Sequence, residues 1–129
     1  MFFNSKKKKL LKTGNDAIQA SLFGFFIGDA LGVPVEFQSR EKLERKKVTK
    51  MKGYGTHNQP KGTWSDDSSM VLATIDGLIQ SNGYNINYQA IMSNFLKWKS
   101  RGEFTPFNYV FDIGNATNNA LIVYQQKVA

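Results

Sequence analysis

Two adjacent carboxylates, Asp66 and Asp67, sit within the stretch Gly62-Thr63-Trp64-Ser65-Asp66-Asp67-Ser68-Ser69-Met70. The hydroxyls of Thr63, Ser65, Ser68 and Ser69 fence them, and the apolar run Met70-Val71-Leu72-Ala73 follows at once. Hard oxygen donors in this density suit Mg²⁺, Mn²⁺ or Ca²⁺ and suit soft metals poorly. Like charges side by side at a helix start are costly unless a cation or the helix dipole offsets them. An N-cap with acids in the first helical turn gives the same local pattern.

A second acidic cluster lies upstream, in Gly28-Asp29-Ala30-Leu31-Gly32-Val33-Pro34-Val35-Glu36-Phe37. A carboxylate at the end of a buried helix needs a cation or hydrogen-bond donors, so Asp29 is either a site residue or a polar plug for loop N–H groups. Glu36, between Val35 and Phe37, is expected to turn inward rather than lie on the surface. A third stretch, Phe111-Asp112-Ile113-Gly114, places a carboxylate among apolar residues at a turn. His57, the one histidine, precedes the Asp-Asp motif in a loop. It reads as a general base, a substrate contact, or a loop histidine bonded to backbone. Trp64 reads as a core residue beside a helix start or as a stacking surface for a nucleobase. Asp76 reads as part of a solvated helix face.

Helices must carry these groups. Ala17 to Ile27 is apolar on nearly every face and predicts a buried helix, started by Asn15 or Asp16 and running to about Leu31. It is too short to convince as a bilayer span. Gly24 and Gly28, four apart, predict a face where another helix approaches closely. Gly32 and Pro34 break the helix. Ser39 caps a short charged helix from Arg40 to about Lys47, with Leu43 as its lone apolar contact. Residues 48–65 form a Gly-rich polar loop that delivers the chain to the Asp-Asp corner. A helix from Asp67 to about Gln80 offers Met70, Leu72, Ala73, Ile75, Leu78 and Ile79, and Ser81-Asn82-Gly83 stops it. Asn87 caps the next, Tyr88 to about Ser100, with Ile91, Phe95, Leu96 and Trp98 as core candidates. A last helix begins near Asn115 and carries Ala116, Ala120, Leu121 and Tyr124. No strand alternation competes, so the fold class is all-α.

Gly-Asp-Ala-Leu-Gly-x-Pro-x-Glu-Phe, then Gly-Thr-Trp-Ser-Asp-Asp-Ser-Ser-Met, then Phe-Asp-Ile-Gly-Asn-Ala-Thr resembles the ADP-ribosylglycohydrolase family, over about Gly14 to Tyr124. The resemblance implies a helical bundle like the N-terminal part of that fold. It implies two divalent cations, Mg²⁺ or Mn²⁺, and hydrolysis of the glycosidic bond between ADP-ribose and a modified acceptor. It implies metal ligands at Ser65, Asp66, Asp67 and Glu36. On this reading Glu36 and Asp67 are the catalytic carboxylates, Asp29 supports the site on the substrate side, and Asp112, Gly114 and His57 contact substrate. The family's second half carries a Gly-Asn-Gly-x-x-Met-Arg-like loop and an Asp-x-Asp-Thr/Ser motif that completes the metal site. Neither pattern occurs in these 129 residues. Residues 13–129 are therefore expected to be the N-terminal portion of a truncated domain, with helix faces left exposed and the C-terminal half a candidate partner in another chain.

Composition bounds the alternatives. With no cysteine, disulfides, thiolate catalysis and Cys-based zinc sites are excluded, and a reducing, cytoplasmic compartment fits. No nucleophile elbow, dinucleotide fingerprint or P-loop occurs. No secretory cleavage pattern follows the N-terminal lysines, and no membrane association is expected. The net charge of +7 is concentrated. Residues 1–12, read as a flexible basic arm, hold five lysines and no acid, and residues 40–52 hold seven basic residues against two acidic. Solvated faces explain this pattern, and attraction to a polyanion is the alternative. A non-catalytic ADP-ribose- or metal-binding relative, half of a split enzyme, and a basic helical nucleic-acid module remain as further readings. The ADP-ribosyl reading requires that Glu36 and the Asp66–Asp67 pair converge on one cavity.

Overall fold

The computed structural model describes residues 14–81 and 85–129. The basic arm of residues 1–12 and the stop signal at Asn82 and Gly83 fall outside the described residues. Among those described, the helices are α1 (Gly14–Gly32), α2 (Arg40–Arg45), α3 (Asp66–Ile79), α4 (Tyr88–Arg101) and α5 (Asn115–Val128). Single 3₁₀ turns occupy Val33–Val35 and Gly55–His57. No strand occurs among the described residues, and an isolated β-bridge joins Tyr54 to Gln59. The all-α expectation holds.

Local chemistry accounts for the helix starts. The Ser39 hydroxyl accepts from Lys42 N–H at 3.3 Å, and the Asn87 side chain accepts from Ala90 N–H at 3.0 Å. Each satisfies a donor that the first turn leaves unpaired. Gly102 ends α4 at φ 68°, and its N–H returns to the Trp98 carbonyl at 2.9 Å. A Cβ at that glycine would lie 2.2 Å from the Asn108 backbone, so both the left-handed turn and the close approach require glycine.

The core is the seam between α3 and α4, extended by α5. Ala73, Trp98 and Leu121 are buried there beside Ser68, Ser69 and Asn94. The seam is close because Gly77 faces Ile91: a Cβ at Gly77 would fall 2.5 Å from Ile91 Cγ1. Asn94 crosses the seam and donates to the Ala73 carbonyl at 3.1 Å and to Asp76 Oδ2 at 2.8 Å. Asp76 is therefore an interhelical partner rather than part of a solvated face, which corrects the reading from sequence. Met70, Leu72, Ile75, Ile91, Phe95 and Leu96 are only half-buried, and Leu78 and Ile79 are exposed. Gly77 and Ala73 bring the backbones together, and apart from Trp98 and Leu121 the larger apolar side chains lie at the margins.

Helix α1 departs most from expectation. It is long, 19 residues, but it is not a buried helix: Phe23 is 65% exposed and Ile27 52%. Burial begins only at its C-terminal end, with Ala30, Val33 and Pro34. Cβ positions at Gly24 and Gly28 meet nothing within 4 Å, so no helix approaches them among the described residues. The stretch Asn15–Val35, with mean hydropathy 1.5, is long and apolar enough to cross a membrane by length and composition alone. That overturns the argument from shortness made on the sequence.

The two kinds of glycine give opposite expectations. Gly77→Ala should lower stability by about 1–3 kcal/mol through overpacking against Ile91. Gly24→Ala, which meets open space, should be neutral or raise stability by up to about 1 kcal/mol through helix propensity. Denaturant unfolding of both variants checks this, and equal midpoints would contradict the packing described.

Candidate metal and substrate site

The site is built on the start of α3. Asp29, near the end of α1, turns Oδ2 onto that helix terminus and accepts from Ser65 N–H at 3.0 Å and Ser68 N–H at 3.1 Å. The same oxygen accepts a very short hydrogen bond from the Ser68 hydroxyl. Ser65 Oγ accepts from Asp67 N–H at 3.2 Å. A carboxylate and a hydroxyl thus cap one helix together, with the negative charge at the positive end of the dipole. Asp29 is accordingly the plug for backbone N–H groups that the sequence admitted, while its side chain still lines the cleft beside it. Ser65, expected as a metal ligand, is buried and engaged as the N-cap.

That cleft, about 340 Å³, is lined by Asp29, Glu36, Ser65 and Asp67 together with Val33, Val35, Phe37 and Leu43. Of the Asp-Asp pair, Asp67 shares this cavity with Glu36 and Asp66 does not. Asp66 lies on the other side of the helix start. It lines a narrow crevice with Trp64, Trp98, Phe111 and Asp112. The expected ligands are therefore divided between two neighbouring spaces rather than gathered in one. Gly114, the N-cap of α5, is exposed. Trp64 is half-buried, and its indole N–H donates to the Phe104 carbonyl at 3.1 Å.

His57 has a partner that the sequence could not name. Its Nε2 lies 2.6 Å from Glu36 Oε2. Its side chain is only 11% exposed, against 40% for Glu36. The imidazole packs against Phe111 at 5.2 Å and meets Phe37 edge-on at 5.8 Å. The reading of a loop histidine bonded to backbone is thereby replaced. Asp112 completes the group: ligand atoms of Glu36, His57 and Asp112 all lie within 4.8 Å of one another.

These carboxylates repel one another. Partial burial raises the Asp67 pKa above the ordinary 3.8, and the charges of Asp29, Glu36 and Asp112 raise it further. Burial, then Asp67 and Asp112, likewise raise Asp66, while backbone hydrogen bonds from Asp66 itself and Gly114 act in the opposite direction. A concentration of oxygen donors with unrelieved negative charge fits a hard divalent cation.

The family described as ADP-ribosylglycohydrolase matches residues 11–129. The chain is 36% identical over 109 residues to the ADP-ribosylarginine hydrolase Tri1 of Serratia proteamaculans (strain 568), covering 84% of this chain and 28% of that protein. It is 36% identical over 106 residues to the ADP-ribosylarginine hydrolase Tri1 of Pseudomonas putida (strain GB-1), covering 82% of this chain and 27% of that protein. The chain belongs to the ADP-ribosylglycohydrolase family. It spans little more than a quarter of the length of these relatives.

Sequence reasoning missed the residues that hold the site from behind. Gln59 is buried; its amide donates to the His57 carbonyl at 3.0 Å, and its oxygen accepts from the Tyr109 hydroxyl. In a polar Gly-rich loop it carried no local signal.

The raised carboxylates give a signed expectation. The folded chain holds these protons more tightly than the unfolded chain does. The cost of ionising Asp66 and Asp67, from burial first and repulsion second, sets in as pH rises past 3.8 and is complete above the raised folded values, so the metal-free chain should lose stability as pH rises through that window. Mn²⁺ should raise the melting temperature at neutral pH and do so less as pH falls into the window. An equal shift at both ends would contradict a carboxylate-held cation.

Proposed function

We propose that this chain supplies the Asp-Asp and glutamate portion of a divalent-cation-dependent hydrolase that removes ADP-ribose from ADP-ribosylarginine. One observation carries the reading: the cap by Asp29 on α3 places Asp67 and Ser65 in the same cleft as Glu36. Family membership supports the reaction class, and the names of the two relatives support the arginine acceptor.

The donor set chooses the cofactor class. Asp67 and Glu36, which share the cleft, would hold Mg²⁺ or Mn²⁺, with Ser65 Oγ offering its second lone pair and Asp66 joining only on turning in from the neighbouring crevice; oxygen ligands favour these ions over softer ones. The bound cation supplies positive charge that orients ribose hydroxyls and makes water more acidic. The remaining ligands are proposed to come from polypeptide corresponding to the other part of the relatives, in the same chain or in a separate one.

The chain's own residues have separable tasks. Glu36, half-exposed at the cleft, is placed to orient water toward the anomeric carbon and accept its proton. Glycosidic cleavage passes through an oxocarbenium-like state, and the negative charges of Glu36 and Asp67 stabilise the positive charge that develops there. Asp112, within reach of Glu36 and His57, offers an acceptor to a substrate hydroxyl. The cleft walls Val33, Val35 and Leu43 exclude water from one side, which strengthens each of these interactions.

Release of ADP-ribose from an ADP-ribosylarginine substrate, measured with and without Mn²⁺, tests the proposal. Release should require the metal and fall more than about 10²-fold in Asp66→Ala with Asp67→Ala. Metal binding without turnover by the chain alone would mark it as a binding portion whose catalytic complement lies elsewhere. Release that survives the double substitution would overturn the metal reading.

A further inference from the structure

The 3₁₀ turn at Gly55–His57 grips the segment that carries Glu36 from three directions. Gly55, at φ 67°, lies flat against Pro34: a Cβ there would stand 2.0 Å from the Pro34 carbonyl oxygen. The Thr56 hydroxyl donates to the Glu36 backbone carbonyl at 2.7 Å. His57 reaches the Glu36 carboxylate at 2.6 Å. Backbone and side chain of one glutamate are therefore held by two consecutive residues of one turn. Beyond Glu36 the chain bends through Phe37, a non-glycine residue at φ 60°, a conformation that persists only when the surroundings hold it.

We infer that His57 is a positioning residue for Glu36, the imidazole Nε2–H fixing the carboxylate at the cleft mouth while the rest of the turn fixes its backbone. The inference rests on the reading of Glu36 as a site carboxylate. A carboxylate accepts and does not donate, so the shared proton sits on Nε2. The ring cannot swing away freely, because Phe111 lies against one side and Phe37 meets its edge. Its backbone is anchored in turn, with the His57 carbonyl taken by the Gln59 amide and the Gln59 oxygen by the Tyr109 hydroxyl. A glutamate with freely rotating side-chain torsions would lose rotamer entropy on engaging a cation or water. Here the histidine has restricted it beforehand, as partners of metal-site carboxylates do elsewhere.

A single histidine makes the test direct, because every imidazole signal comes from His57. Long-range ¹H–¹⁵N correlation on the metal-free full chain should show the Nε2–H form. In Glu36→Ala the Nε2–H proton, carried downfield by its carboxylate acceptor, should return toward the position of a free imidazole, whose main neutral tautomer is the same. An unchanged proton position in Glu36→Ala would overturn the inference. Mn²⁺ titration provides a second readout. His57→Ala should weaken binding ~10-fold to 100-fold, and His57→Gln, which keeps a side-chain N–H donor, should recover most of the loss. Equal weakening in both variants would make His57 a direct ligand or a packing residue instead, and wild-type affinity in both would remove its role. If the wild-type chain binds no Mn²⁺, the proposed function fails while the imidazole spectrum still decides the His57–Glu36 contact.

Discussion

One carboxylate oxygen joins the two motifs of this protein. Asp29 Oδ2 receives three hydrogen bonds from the start of α3, and without them the end of α1 would have no polar tie to the Asp-Asp corner. The joint works because each side needs it. A helix N-terminus leaves N–H donors unsatisfied, and a half-buried carboxylate must be surrounded by donors. Since the chain runs from Asp29 to Glu36 through a tight 3₁₀ turn, fixing Asp29 also limits where Glu36 can stand. The cleft follows from helix capping, and its chemistry follows from what the capping brings near.

A second constraint keeps α3 still. Its other end is locked to α4 by the Gly77–Ile91 approach and by Asn94, which satisfies one backbone carbonyl and one carboxylate across the seam. Buried polar groups fully satisfied in this way specify register as well as stability. The Asp-Asp corner is thus presented by a helix held at both ends, a sounder base for close-set charges than a loop.

Short-range features were legible in the sequence. Ser39, Ser65 and Asn87 mark helix starts through contacts within four residues, and such contacts are encoded locally. The three motifs revealed the family and nominated the residues to look for around its site. Pairings across distance were not legible. His57 finds Glu36 21 positions away, and nothing beside either residue announces the other. Gly24, Gly28 and Gly77 look alike in a helical pattern, yet only Gly77 meets a neighbouring helix, because helix spacing depends on the partner's side chains. The division of Asp66 from Asp67 was also hidden: adjacent residues on a helix point about 100° apart, and only the surroundings show which spaces they enter.

Helix α1 is fastened at one end. Its cap on α3, with Ala30 and Val33, secures the last turn, while the turns before it stand largely in solvent. Amide exchange along the helix should be graded, slow near Ala30 and faster toward Ile18, as local opening grows easier with distance from the anchor. The joint that assembles the cleft would then be the most protected point of α1 among the described residues.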